Sequence, residues 1–92
     1  MKIKFTKQSI KDVNNIYEYI LEQSDKNTAL KVVHRIKNVI DDLNVYTNLG
    51  CKIKKDTRRL VIPGLPFVVI YKINISKKII YISTAFHTAR KL

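Results

Sequence analysis

The side chains best equipped for chemistry crowd the C-terminal half of this sequence. His87 heads them. An imidazole with its ordinary pKa changes charge near neutrality, so it can act as a general acid or base. Arg58 and Arg59 are adjacent at the start of an expected strand and must point to opposite faces. Either guanidinium can hold a phosphate through two parallel hydrogen bonds. Lys52, Lys54 and Lys55 add point charges close by. Read from residue types alone, the chemistry on offer is proton transfer and anion binding. Each group also has a plainer reading. His87 can be structural, the arginines can pair with an acidic partner chain, and the lysines can be a solvated loop.

The remaining candidates are thinner. Tyr81 lies on an alternating stretch in which Ile80, Ile82, Thr84 and Phe86 face one way and Tyr81, Ser83, Ala85 and His87 the other. The first set is expected to pack on helices and the second to lie on the open side. A tyrosine beside a histidine there can stack a nucleic-acid base, although ordinary packing would also account for it. His34 sits between the apolar stripes of an expected helix and reads as a solvated surface residue. Cys51 is the only cysteine, so no internal disulfide forms and a reducing cytoplasm is the expected setting. No histidine, cysteine and carboxylate cluster has metal-ligand spacing, and no metal site is expected. With Gly50 and Gly64 the only glycines, there is no phosphate-cradling loop and no expected cofactor.

These residues must be positioned by a small scaffold. At 92 residues the chain is expected to be one domain, 1–92. Residues 2–6 alternate, with Ile3 and Phe5 on one side, and read as a short strand. Thr6 or Ser9 can cap a following helix, Ser9 and Asp12 having capping-box spacing. Ile10, Val13, Ile16, Tyr17, Ile20 and Leu21 then form one apolar stripe ending near Gln23. Residues 24–27 are turn-like. A second stripe runs from Ala29 through Val32, Val33, Ile36, Val39, Ile40 and Leu43. The short link favours an antiparallel helical hairpin. Tyr17, Tyr19 and Tyr46 read as helix-face packing, and Tyr71 as sheet core. Gly50 is placed to end the second helix region with positive φ.

Residues 51–56 form a basic loop or extended segment. Residues 57–62, 67–73 and 79–86 are strand candidates, separated by turns at Pro63-Gly64 and at 74–78. Spacing this tight predicts a meander. The fold class is therefore α+β, in the order β-α-α-β-β-β: an antiparallel sheet with an N-terminal strand, a helical hairpin on one face and a C-terminal three-strand meander.

Composition bounds the partners. Eighteen Lys and Arg against seven Asp and Glu give a formal charge of +11 and a pI near 10.0. Such a domain attracts polyanions, whether nucleic acid, a ribosome or an acidic protein. No apolar run reaches the roughly 18 residues of a membrane span, and no signal-peptide core follows Lys2 and Lys4, so no membrane partner is expected.

The element order and several strings resemble the RelE/ParE superfamily of toxins from bacterial type II toxin–antitoxin systems. Asp12-Val13-Asn14-Asn15-Ile16-Tyr17-Glu18-Tyr19-Ile20 is similar to the first-helix signature of the ParE-like branch. Arg35-Ile36 with Ile40, Leu43 and Leu49-Gly50 resembles its second helix and turn. Arg58-x-Leu60 and Pro66-Phe67-Val68-Val69-Ile70-Tyr71 resemble its central strands, and Phe86-His87-x-x-Arg90 its tail. The likeness spans essentially the whole chain. It implies a growth-arresting toxin held inactive by a cognate antitoxin. Two mechanisms are known on such a fold: poisoning of DNA gyrase without chemistry, and cleavage of mRNA on the ribosome. Position 68 separates them. The nuclease branch commonly carries a catalytic arginine at the matching place, and here it is Val68, which cannot stabilise a phosphate charge. The expectation is a gyrase poison. The alternative is a ribosome-dependent mRNA endonuclease using His87, Arg58 and Arg59, with Lys52, Lys54, Lys55, Tyr81 and Arg90 as target contacts. A third reading is an inactive relative that only binds antitoxin or RNA.

Overall fold

In the computed structural model, residues 1–89 are described. The elements are β1 (Lys2–Phe5), α1 (Lys7–Gln23), α2 (Lys26–Asp42), β2 (Cys51–Lys54), β3 (Thr57–Val61), β4 (Phe67–Asn74) and β5 (Ile79–His87). The α+β class, the helical hairpin and the C-terminal strands are as expected.

Both helices start where a short polar side chain replaces a missing backbone partner. The Thr6 hydroxyl accepts from the Ser9 N–H at 3.1 Å, and the Asp25 carboxylate accepts from the Thr28 N–H at 2.8 Å. Ser9 is not the cap. Its side chain is buried in the first turn and donates back to the Thr6 carbonyl. Asp12 closes no capping box either, because its carboxylate is directed at β5.

The sheet order is β1-β5-β4-β3-β2. Three pairings are antiparallel, and β1 lies parallel to β5, so the sheet is mixed. The basic segment after Gly50 is the edge strand β2, whose residues are all exposed. One core holds the layers together. Ile16, Val32, Ile36, Ile40 and Leu43 from the helical half meet Leu60, Ile62, Phe67, Val69, Tyr71, Ile80, Ile82 and Ala85 from the sheet. Val68, Ile70 and Phe86 form a separate buried cluster.

That split reveals a reversal in β5. Tyr71 pairs with Ile82 and Ile70 with Thr84, leaving Ser83 as the extra residue of a β-bulge. Before the bulge, Ile80 and Ile82 face the helices; after it, Ala85 does and Phe86 does not. The uninterrupted alternation read along this strand therefore fails at Ser83. Among the described residues, no helix is long and apolar enough to cross a membrane.

Candidate functional site

His87 ends β5 directly opposite Phe67, and the two rings meet edge to face with centroids 5.4 Å apart. Phe67 belongs to the helix-side core, so the bulge has carried His87 to that side. Its Nδ1 accepts the Ala89 N–H at 3.1 Å, which assigns the free proton of the neutral ring to Nε2. A cavity of about 460 Å³ lies beside it, bordered on α1 by Asp12, Asn15, Ile16 and Tyr19 and on the sheet by Phe67 and Phe86. Tyr19 is half exposed there, and Tyr46 is more exposed still, so neither is simple helix-face packing.

Asp12 fixes the position of this end of β5. Its carboxylate accepts from the Thr84 hydroxyl and from the Ala85 N–H, while Gln8 donates to its other oxygen at 2.7 Å. The helix is thereby pinned to the strand beside the bulge. The sequence marks Asp12 only as a capping-box residue and the acidic opening of a helix signature; its partners on β5 lie more than seventy residues away.

The arginines diverge as expected from their adjacency. Arg58 is opposite Tyr71 on the helix side and Arg59 opposite Ile70 on the other. Arg58 donates to the Gly50 carbonyl at 2.7 Å and to the Asn48 carbonyl at 3.4 Å. Its nearest partners are thus carbonyls of the loop after α2. Tyr71 braces the same loop: its hydroxyl donates to Thr47 O at 2.8 Å and accepts from Gly50 N–H at 2.9 Å. Burial holds its phenol above the ordinary value of 10.0, against the opposing pull of the Gly50 N–H and of Arg58. Gly50 does not take the positive φ expected of it; Gly64 does, at 76°. What Gly50 supplies is room, since a Cβ there would lie 2.9 Å from both Arg59 O and the Tyr71 ring.

Tyr81 is opposite Lys72 in β4, with the helix-side Ile80 and Ile82 as its neighbours along the strand. It therefore faces away from the helices. Tyr81 and His87 do not share a face: the bulge between them reverses the parity. Lys52 and Lys54 are exposed on β2, and Lys55 is exposed in the turn that follows. Val68 is completely buried, with Ile70 and Phe86. His34 is exposed on α2. Arg90 lies outside the described residues. Among those described, no three His, Cys, Asp or Glu side chains gather as a metal site.

The sequence-predicted set is thus distributed over three places. His87 stands in the cavity against α1, Arg58 at the loop after α2, and Arg59 and Tyr81 on the opposite face of the sheet.

Similarity to other proteins follows the same lines. The family model for the ParE toxin of the type II toxin–antitoxin system, parDE, matches residues 3–92. A protein of Sinorhizobium fredii, Y4kP, whose own description as a toxin is provisional, is 32% identical over 74 residues, covering 79% of this chain and 76% of that one. A solved structure described as a chromosomal ParDE TA system from P. aeruginosa has the same fold. It superposes with a TM-score of 0.81 at 22% identity, over 95% of both chains.

Proposed function

The chain belongs to the ParE toxin family of type II toxin–antitoxin systems, and from that premise we propose that it arrests growth by poisoning DNA gyrase, with no chemistry of its own. A cognate antitoxin, rich in acidic side chains, neutralises it by binding the basic toxin. The setting is the cytoplasm, where gyrase and the antitoxin are both available.

The observation that carries this reading is Val68. It is closed into an apolar cluster with Ile70 and Phe86, at the place where the nuclease branch commonly has a catalytic arginine. A buried valine offers nothing to a developing phosphate charge. The other cations do not compensate. Arg58 is engaged by Gly50 O and Asn48 O, and Arg59 lies on the face of the sheet away from the His87 side. The competing reading, a ribosome-dependent mRNA endonuclease, draws on one observation: His87 is partly exposed beside a cavity.

The test is a DNA-cleavage assay with purified gyrase, plasmid and the purified toxin. Accumulation of cleaved plasmid, reversed by the protein encoded beside the toxin gene, is the expected result. Unchanged gyrase activity, together with cleavage of mRNA in a translating ribosome extract that is lost in His87→Ala, would establish the endonuclease instead.

A further inference from the structure

The formal charge is not spread over the molecule. Residues 7–43, the helical hairpin and its link, hold six basic and six acidic side chains and are neutral. The net +11 therefore belongs to the strands, their loops and the chain ends, where Asp56 is the one acid. Long-range attraction of a polyanion is directed at the sheet half.

The strand register organises part of that charge. Lys4 pairs with Tyr81, Tyr81 with Lys72, Lys72 with Thr57, and Thr57 with Lys54. These five residues make one line across all five strands. Neighbours on either side of Tyr81 and Lys72 along their strands, namely Ile80, Ile82, Tyr71 and, at the margin, Ile73, pack with the helices. The line thus runs over the face turned away from them. At about 4.8 Å per strand it is roughly 19 Å long, with a lysine at each end and one in the middle. All three lysines are exposed, and the Tyr81 ring stands between two of them, partly exposed. Beside it a cavity of about 630 Å³ is bordered by Tyr81, Lys72, Lys55, Asp56, Asn74 and Ser76.

We infer that this face binds single-stranded nucleic acid, with Lys4, Lys72 and Lys54 on the phosphates and a base stacked on Tyr81. A row of lysines alone would suit any polyanion. The aromatic ring within the row, next to a cavity with amide and hydroxyl groups on its wall, is what favours a polynucleotide over an acidic protein. This face is strand surface with no helix standing on it to enter a duplex groove, which favours an unpaired strand. This site is separate from the His87 cavity, which lies against α1. It requires no catalysis and does not depend on gyrase being the target.

The test is fluorescence anisotropy of the purified chain with a labelled oligothymidylate of about 16 nucleotides, enough to cross one small domain. Replacing Lys4, Lys54 and Lys72 together by Ala should weaken binding about tenfold or more, and should flatten the salt dependence by about 2 in log–log slope. Replacing the exposed α2 lysines Lys26, Lys31 and Lys37 in the same way removes equal charge and should change affinity less than about twofold, because screening confines their influence. Tyr81→Ala should lose about fivefold or more, with Tyr81→Phe retaining most of the affinity. Equal losses from the two lysine triples would overturn the site. So would full affinity in Tyr81→Ala with polyglutamate competing as well as unlabelled oligonucleotide, an outcome that assigns the face to an acidic protein. Tighter binding of a duplex of equal length would overturn the single-strand assignment.

Discussion

Removing the Tyr71 hydroxyl leaves two backbone groups without their partner at once, the buried Gly50 N–H and the Thr47 carbonyl. A buried polar group left unsatisfied costs about 1–3 kcal/mol. Tyr71→Phe is therefore expected to lower the unfolding free energy by at least that range, read from urea denaturation. The phenol also links stability to pH. Its folded pKa is raised by burial, so the neutral phenol favours the folded state, and that contribution is complete below the unfolded value near 10.0. It is lost as pH rises through the higher folded value. Stability of the natural protein should fall more steeply above pH 10 than that of Tyr71→Phe, in denaturation curves repeated along an alkaline series. Equal slopes would remove Tyr71 from the alkaline response. Arg58 belongs to the same loop-bracing group. Adjacency with Arg59 is enough to predict opposite faces. Its engagement with loop carbonyls depends on where the chain returns after α2, which no local pattern encodes.

Elements were legible in proportion to how local their causes are. Apolar stripes at helical spacing give α1 and α2, and turn residues give β3, β4 and β5, because each signal lies inside the segment it describes. Two features do not. The parallel pairing of β1 with β5 joins segments at opposite ends of the chain. The bulge at Ser83 exists only relative to β4, so β5 by itself reads as plain alternation. That one residue sends His87 to the side of Phe67 and separates it from Tyr81. Deleting Ser83 should remove the bulge and leave Ala85 and His87 on the helix side and Phe86 on the other, because the residues after it keep their partners in β4. The deletion is expected to cost about 0.5–3 kcal/mol, from the straightened strand and the lost contact of the Thr6 hydroxyl with Ser83 O, whereas Ser83→Ala should stay within about 0.5 kcal/mol. Parallel urea titrations of the two variants measure the difference. A deletion variant that loses cooperative unfolding would mean that the residues after Ser83 depend on the bulge for their pairing.

For the molecule as a whole, the division of charge matches the division of structure. A neutral helical hairpin backs a sheet that, with its loops and the chain ends, carries the whole net charge, and Val68, Ile70 and Phe86 make an apolar cluster apart from the helix-packed core. The helix-side cavity at His87 and the lysine row on the opposite face are then independent surfaces on one small domain. A toxin that works by binding has use for surfaces of this kind, and does not need His87 and the arginines to converge on one phosphate. Controlled expression of the natural chain and of His87→Ala, in a bacterium carrying a DNA-damage reporter, tests that claim most directly. Gyrase poisoning predicts growth arrest with the reporter on for both proteins. Growth arrest with the reporter silent, abolished by His87→Ala, would contradict it.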